Sequence, residues 1–340
     1  MSDTVRAVEE GPDRALTAPP PPADGALGKS YTYLRVAIVG LLIALGVAVC
    51  YQSSRQGLFL ASVSAYYYTP AQAIFVGALI GLGAAMIALR GRHPAEDTLL
   101  NLGGAFAAVV AVVPTSRGVD YQTAVEACRQ GLTPLLTQRA TTRFDCPTVL
   151  SLAEATRANV QNNVFALLVV GALGLVATLG FAARDRVLRA RAFLIGFSAV
   201  ALVWVIGLVA FTAGLDLLIA RAHYLAAILL FVCILAVAVI NATRRRTEED
   251  TAALSPGWTL DAPTVGRAML RKPRQFDRYA WVAWVMLIGA VGGGVLWWVG
   301  VISLFWLEIF VALLFAVFWM VQTIEQLPPQ PAQPGPSSVR

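Results

Sequence analysis

The sequence predicts an all-α fold, a polytopic transmembrane helix bundle of about eight spans, and three observations carry that prediction. Apolar runs lie at 33–52, 70–90, 98–115, 162–183, 191–213, 222–242, 280–300 and 302–322. Most match the ~20 residues that cross ~30 Å of hydrocarbon at 1.5 Å per residue. Hydrophobic residues make up 57% of the chain and charged residues 14%, which leaves too little polar surface to coat a water-soluble globule around so many buried helices. Finally, the 26 Lys and Arg residues gather at alternate connections between the runs.

The first 31 residues precede the bundle. They carry Asp3, Glu9, Glu10, Asp13 and the run Pro19 to Pro22, unlike the apolar core of a cleaved signal peptide, and are expected to be a disordered Pro-rich tail. The first span then serves as an uncleaved anchor, and bulky Val49 before Cys50 argues against lipid attachment there. A bundle over 32–326 follows, and the Pro-rich 327–340 segment is expected to be a second disordered tail.

Basic residues give the orientation. With the N-terminus cytoplasmic, the connections that face outward hold seven of the 26 basic residues: Arg55, Arg117, Arg129, Arg139, Arg143, Arg157 and Arg221. The other nineteen lie on the inner side, with Arg184, Arg186, Arg189, Arg191 and the Arg244–Arg246 triplet at helix ends, where the positive-inside bias is strongest. Both termini are therefore expected in the cytoplasm of a cell whose plasma membrane the chain crosses. The net charge of +6 follows from this collar, which faces anionic headgroups rather than nucleic acid, for which no recognition fold is present.

Two connections are long. The 116–160 loop, expected outside, contains Cys128 and Cys146 with 17 residues between them, a spacing that suits a disulfide closing a small helical cap. Asp120 is placed to cap a helix through Cys128 that ends at Gly131, and Thr148 to start a second helix that runs into the fourth span. The 243–279 loop mixes basic residues with Val265, Met269, Leu270 and Phe276, which suits a short helix lying on the inner leaflet. The 98–115 run is short, and the last two runs are parted only around Gly300, where a re-entrant hairpin competes with two full crossings.

Polar residues inside spans are costly and mark function or a specific partner. Glu308 lies six residues inside the last run, about 9 Å below its boundary. Topology places Ser62, Ser64, Tyr66, Thr115, Asp216, Arg221 and His223 at the same outer depth, so these eight residues form a candidate pocket for a lipid or small molecule. An interfacial belt of Tyr with solvated charges is the plain alternative. Asp97, Asn101, Asn241 and Gln322 make a weaker inner set. Asn101–Gly104, Gly77–Gly81 and Gly292–Gly294 read as close helix packing.

Catalysis has little support. The two histidines, His93 and His223, are expected on opposite sides of the ~30 Å core, so they cannot ligate one metal, and no cofactor is implied. A Ser-His-Asp set from Ser62 or Ser64, His223 and Asp216 is geometrically allowed but lacks a nucleophile elbow. No internal repeat suggests a transporter.

The stretches Ser62 to Thr69, Phe75-Val76-Gly77, Asn101 to Gly104, Val113-Pro114-Thr115 and Phe318 to Glu325 resemble multi-span actinobacterial membrane proteins of unknown function. Distantly, they resemble the bacterial unknown-function branch of the superfamily of alkaline ceramidases and adiponectin-type receptors. The catalytic members of that superfamily hold zinc with three histidines beside a serine and an aspartate. Here only Ser62 or Ser64 and His223 can correspond, which implies that a metal hydrolase activity is lost. The resulting expectation is an accessory or sensor-like membrane protein with an outward pocket. A lipid-acting hydrolase or transferase and a transporter are the alternatives.

Overall fold

A computed structural model describes residues 26–91, 93–115, 117, 119–131, 145–250 and 278–325. All regular structure among them is helical: α1 Ala26–Gln56, a 3-10 helix Ser64–Tyr68, α2 Gln72–Ala88, α3 Pro94–Val112, α4 Val119–Arg129, α5 Cys146–Arg184, α6 Arg191–Ala213, α7 Leu215–Asp250, α8 Arg278–Trp298 and α9 Leu304–Glu325.

Seven of these helices contain a stretch long and apolar enough to cross a membrane: Ser30–Gln56, Pro94–Val112, Cys146–Arg184, Arg191–Ala213, Leu215–Asn241, Trp281–Trp298 and Leu304–Val321. The second expected span is shorter, at 17 residues over Gln72–Ala88. The 3-10 helix Ser64–Tyr68 lies just ahead of it, and Thr69-Pro70 separates the two and delays the start of α2 to Gln72. The last two runs form two separate helices, each meeting the spanning length, turned at Gly300, whose φ of +77° only glycine adopts without strain. The chain is an integral membrane protein by this architecture.

Helix-to-helix contacts close a ring. Going round it, α1 packs on α2, α2 on α3, α3 on α7, α7 on α8, α8 on α9, and α9 back on α1. The α5–α6 pair lies outside the ring against α3. Small residues set the closest approaches: a Cβ on Gly83 or Gly104 would lie 2.5 Å from the other's carbonyl oxygen, so α2 and α3 meet backbone to backbone. Gly81 faces Leu41 of α1, and Gly293 faces Leu307 of α9.

The ring interior is apolar. Ile38, Leu82, Met86, Leu100, Val237, Met286, Phe315 and Trp319 fill one half, and Leu45, Val49, Phe75, Phe106, Val110, Cys233 and Phe305 fill the other. By contrast α6 buries none of its residues. A helix so apolar and so uncovered suits hydrocarbon as its surroundings, and its Trp204 indole N–H is satisfied by the Leu168 carbonyl of α5 at 2.8 Å.

The expected cap is present. Cys128 and Cys146 form a disulfide joining α4 to the start of α5, and Ala124, Cys128 and Val149 make a small core beneath it. Helix α4 starts at Val119, which places Asp120 inside the first turn rather than ahead of it, and Gly131 follows its end with φ of +72°. Helix α5 starts at Cys146, two positions before Thr148, with Pro147 in its first turn, where the missing N–H costs nothing.

Two further boundaries differ from expectation. Helix α1 begins at Ala26, taking in 26–31 from the expected tail, and α7 continues to Asp250 through the Arg244–Arg246 triplet. The remaining parts of the two tails, and the amphipathic segment with Val265 and Met269, lie outside the described residues.

Candidate polar site beneath the disulfide cap

Between α1 and α2 the chain does not simply turn. Residues 57–71 cross the ring mouth on the cap side as a plug, with Leu58 and Phe59 exposed, Tyr66 fully buried, and Ser62, Ser64 and Tyr67 nearly so. The 3-10 helix is held locally by Ser62, whose Oγ accepts from Ala65 N–H at 3.1 Å, and by Thr69 Oγ1, which donates to the Tyr66 carbonyl at 2.8 Å. Tyr66 fills the space between α1 and α9: its hydroxyl bonds Ser53 of α1 and accepts from Leu60 N–H, and its ring lies 6.3 Å from that of Phe305. Ser53 in turn donates to the Val49 carbonyl at 2.8 Å.

The plug is tied to α9 by Glu308. One carboxylate oxygen accepts from the Val63 N–H at 2.5 Å, and the other meets Ser64 Oγ at 3.3 Å. Beside it the Phe305 N–H at the head of α9 donates to the Ala61 carbonyl at 3.0 Å. Ser64 Oγ also lies 2.9 Å from His223 Nε2 of α7, and His223 Nδ1 lies 2.7 Å from the Val113 carbonyl at the end of α3. His223 and Ser64 are both buried. A continuous chain therefore runs Glu308, Ser64, His223, Val113, crossing from α9 to α3 through the plug and α7.

A second set of bonds borders the first. Tyr68 donates to the Thr115 carbonyl at 2.7 Å, and Thr115 Oγ1 bonds the Tyr224 hydroxyl at 2.6 Å. Arg117 lies 3.8 Å from the Tyr68 ring centroid and 5.6 Å from that of Tyr121 on α4, and so links plug and cap by cation–π contact. Burial, partly opposed by Arg117, pushes the Tyr68 phenol up to about 12, which keeps it a donor at physiological pH. The Tyr121 phenol is raised in the same way by burial, and its hydroxyl donates to the Val149 carbonyl at 3.2 Å.

Of the eight residues that topology gathered, six are in these two networks or hold the plug in shape: Ser62, Ser64, Tyr66, Thr115, His223 and Glu308. Asp216 and Arg221 are not. Asp216 is paired with Arg157 of α5 on the surface, its side chain 84% exposed, and Arg221 is exposed with no described partner. The acid of the chain is therefore Glu308 rather than Asp216, and it meets the serine rather than the histidine. Asp216 begins its helix, so its side chain stays at the rim with α5, one full turn and more beyond the level of His223.

Ser53 and Tyr224 are participants that the residues alone did not single out, as are Tyr68, Arg117 and backbone groups such as the Val63 N–H and the Val113 carbonyl. The first two carried a usable signal, since Ser53 shares the depth of the site and Tyr224 adjoins His223. The backbone groups carry none, because every residue has them.

At the opposite end Asn241 of α7 donates to Glu96 of α3 at 3.1 Å, and buried Arg35 of α1 lies 5.5 Å from the Trp319 ring of α9. Asp97 bonds the Gly91 N–H and Asn101 is half-buried. Of the inner polar set, Asn241 takes part in this bonding, while the buried charges of this end are Glu96 and Arg35 among the described residues. The Gln322 side chain lies outside what is described. Among the described residues no three His, Cys, Asp or Glu side chains converge as a metal site. No protein-family model matches the chain, and no curated protein or solved structure shows significant similarity to it.

Proposed function

We propose that the chain is an accessory or sensor-like protein of the plasma membrane that recognises a lipid or small molecule on its outer face, at the Glu308–Ser64–His223 cluster. The observation that carries this reading is that one carboxylate holds the plug: Glu308 takes both the Val63 N–H and the Ser64 hydroxyl. A ligand presenting its own amide or hydroxyl donors competes for that acceptor, and binding is then coupled to the position of residues 57–71. The apolar flanks of the ring suit an acyl chain, and the cap linked through Arg117 and Tyr68 sits above. Distant kinship to the ceramidase and adiponectin-receptor superfamily belongs to this proposal, with Ser64 and His223 as the residues that correspond.

The test is mass spectrometry of small molecules retained by protein purified with native lipid, comparing wild type with Ser64→Ala and Glu308→Gln. A species enriched in wild type and depleted in both variants supports the reading. An identical profile in all three ends it. Orientation is checked separately in intact cells, in a Cys50→Ser background: an impermeant maleimide labels a cysteine placed at Ser151 and spares one placed at Thr247. Labelling of the second position would put the site on the inner face.

One geometry favours a second reading. Ser64 Oγ at 2.9 Å from His223 Nε2 is the spacing of a nucleophile and its base, as an enzyme acting on outer-leaflet lipids would need. A fluorophosphonate that modifies Ser64 in wild type but not in a His223→Gln variant would select it over the binding reading.

A further inference from the structure

We infer that Glu308, Ser64 and His223 together bind a single shared proton, which moves between the carboxylate and the imidazole through the Ser64 hydroxyl. The inference goes beyond the ligand reading and does not need a ligand to be present.

The hydrogens available to the three groups set this requirement. The Val113 carbonyl can only accept, so His223 Nδ1 carries a hydrogen. If the ring is neutral, Nε2 is bare and must accept from Ser64. Ser64 has one hydrogen and has then used it, so its contact with Glu308 is a hydrogen bond only if the carboxyl is protonated and donates. If instead the carboxylate is ionised, Ser64 donates to it, and Nε2 must carry the hydrogen that Ser64 Oγ accepts. Both arrangements satisfy both contacts, and both hold one proton more than the ionised carboxylate with a neutral ring.

With no extra proton, one of the two Ser64 contacts sets lone pair against lone pair. With two, carboxyl and ring both donate to Ser64, and the serine hydrogen loses its acceptor. Conversion between the two satisfied arrangements balances: the Glu308 proton passes to Ser64 Oγ as the Ser64 proton passes to Nε2. The site remains neutral overall, which suits a location where Ser64 and His223 are both buried.

The surrounding elements add no competing charge. From the plug, the Tyr66 and Tyr68 hydroxyls are engaged with Ser53 and the Thr115 carbonyl, and Tyr67 faces Phe75. On α7, Tyr224 is bonded to Thr115 and Asp216 to Arg157, while Arg221 is exposed. Beyond α3, Arg117 lies over Tyr68, and on α1 Cys50 and Arg55 are exposed. The far end of the chain is closed by a backbone carbonyl, so the proton is stored rather than passed across the membrane. Its loss would weaken the tie between plug and ring, which makes the plug responsive to pH on the side it faces.

The chain has two histidines, so the occupancy can be read directly. In full-length His93→Asn protein, which retains a helix-capping side chain at position 93, ¹⁵N-histidine labelling reports Nε2 of His223 alone. Infrared difference spectra against the additional Glu308→Gln variant report the protonated carboxyl of Glu308. At neutral pH the two proton occupancies should sum to one, whether the proton rests on one group or is divided. Finding both groups protonated, or neither, would overturn the inference. Because the readout is proton occupancy in the protein alone, it can fail while retained-ligand mass spectrometry succeeds, and the reverse.

Discussion

At the cap end, side chains of α7 and α9 meet only through an inserted segment, with Ser64 between His223 and Glu308. At the opposite end α3 and α7 bond directly, Asn241 to Glu96, and Arg35 of α1 lies over Trp319 of α9. The two ends lie at the ends of one span: His223 and Asn241 are roughly 27 Å apart along α7 at 1.5 Å per residue. Where helices touch each other directly, a polar pair fastens the bundle and has no part that leaves without separating helices. Where a short segment is interposed, the same kind of bonding holds a removable piece. The cap end is therefore built around an interposed segment, and the opposite end around a direct fastening.

The largest effect that separates the ends is expected from His223→Leu. It deprives Ser64 and the Val113 carbonyl of a partner in a buried setting and should lower stability by about 3 kcal/mol, measured by thermal unfolding in detergent. Hydrogen exchange should localise the loss to residues 57–71, and a uniform loss across all helices would blur the distinction between plug and ring.

Removing the disulfide by Cys128→Ser with Cys146→Ser comes next. It frees a closed loop and should cost about 3 kcal/mol or less in the chain-entropy account, confined to the cap. Protease cleavage between 119 and 160 should accelerate while the ring persists. If the ring melts with the cap, the Arg117 bridge carries more than its geometry suggests.

At the fastening end, Asn241→Leu removes one donor from Glu96, which retains other interactions, and should cost about 1–2 kcal/mol with no change in exchange of the plug. Smallest is Arg221→Ala. This exposed side chain should contribute less than about 0.5 kcal/mol, and a larger loss would return it to the site from which the structure removes it.

Some of this was legible in the residues themselves. Apolar run length set the helices, because each must satisfy its backbone within its own segment once hydrocarbon surrounds it. Alternation of the runs placed Ser64, Thr115, His223 and Glu308 at one level, and two cysteines in a single long connection identified the bond that clamps the cap. Glu308 stood out because a carboxylate inside a span requires a partner.

The partners themselves were decided by the tertiary fold. Glu308 and Ser64 are 244 positions apart, and nothing local distinguishes Ser64, which bridges two helices, from Ser62, which only caps its own turn. Arg35 and Glu96 lie near the starts of two apolar runs, where nothing local marks them as buried, and it is the closure of α1 on α9 and of α3 on α7 that buries them. Helix formation and membrane depth are properties of a segment against its solvent and are written along the chain. Which side chain meets which depends on the rotation and neighbours of each helix, set by contacts such as Gly83 on Gly104 that join distant elements.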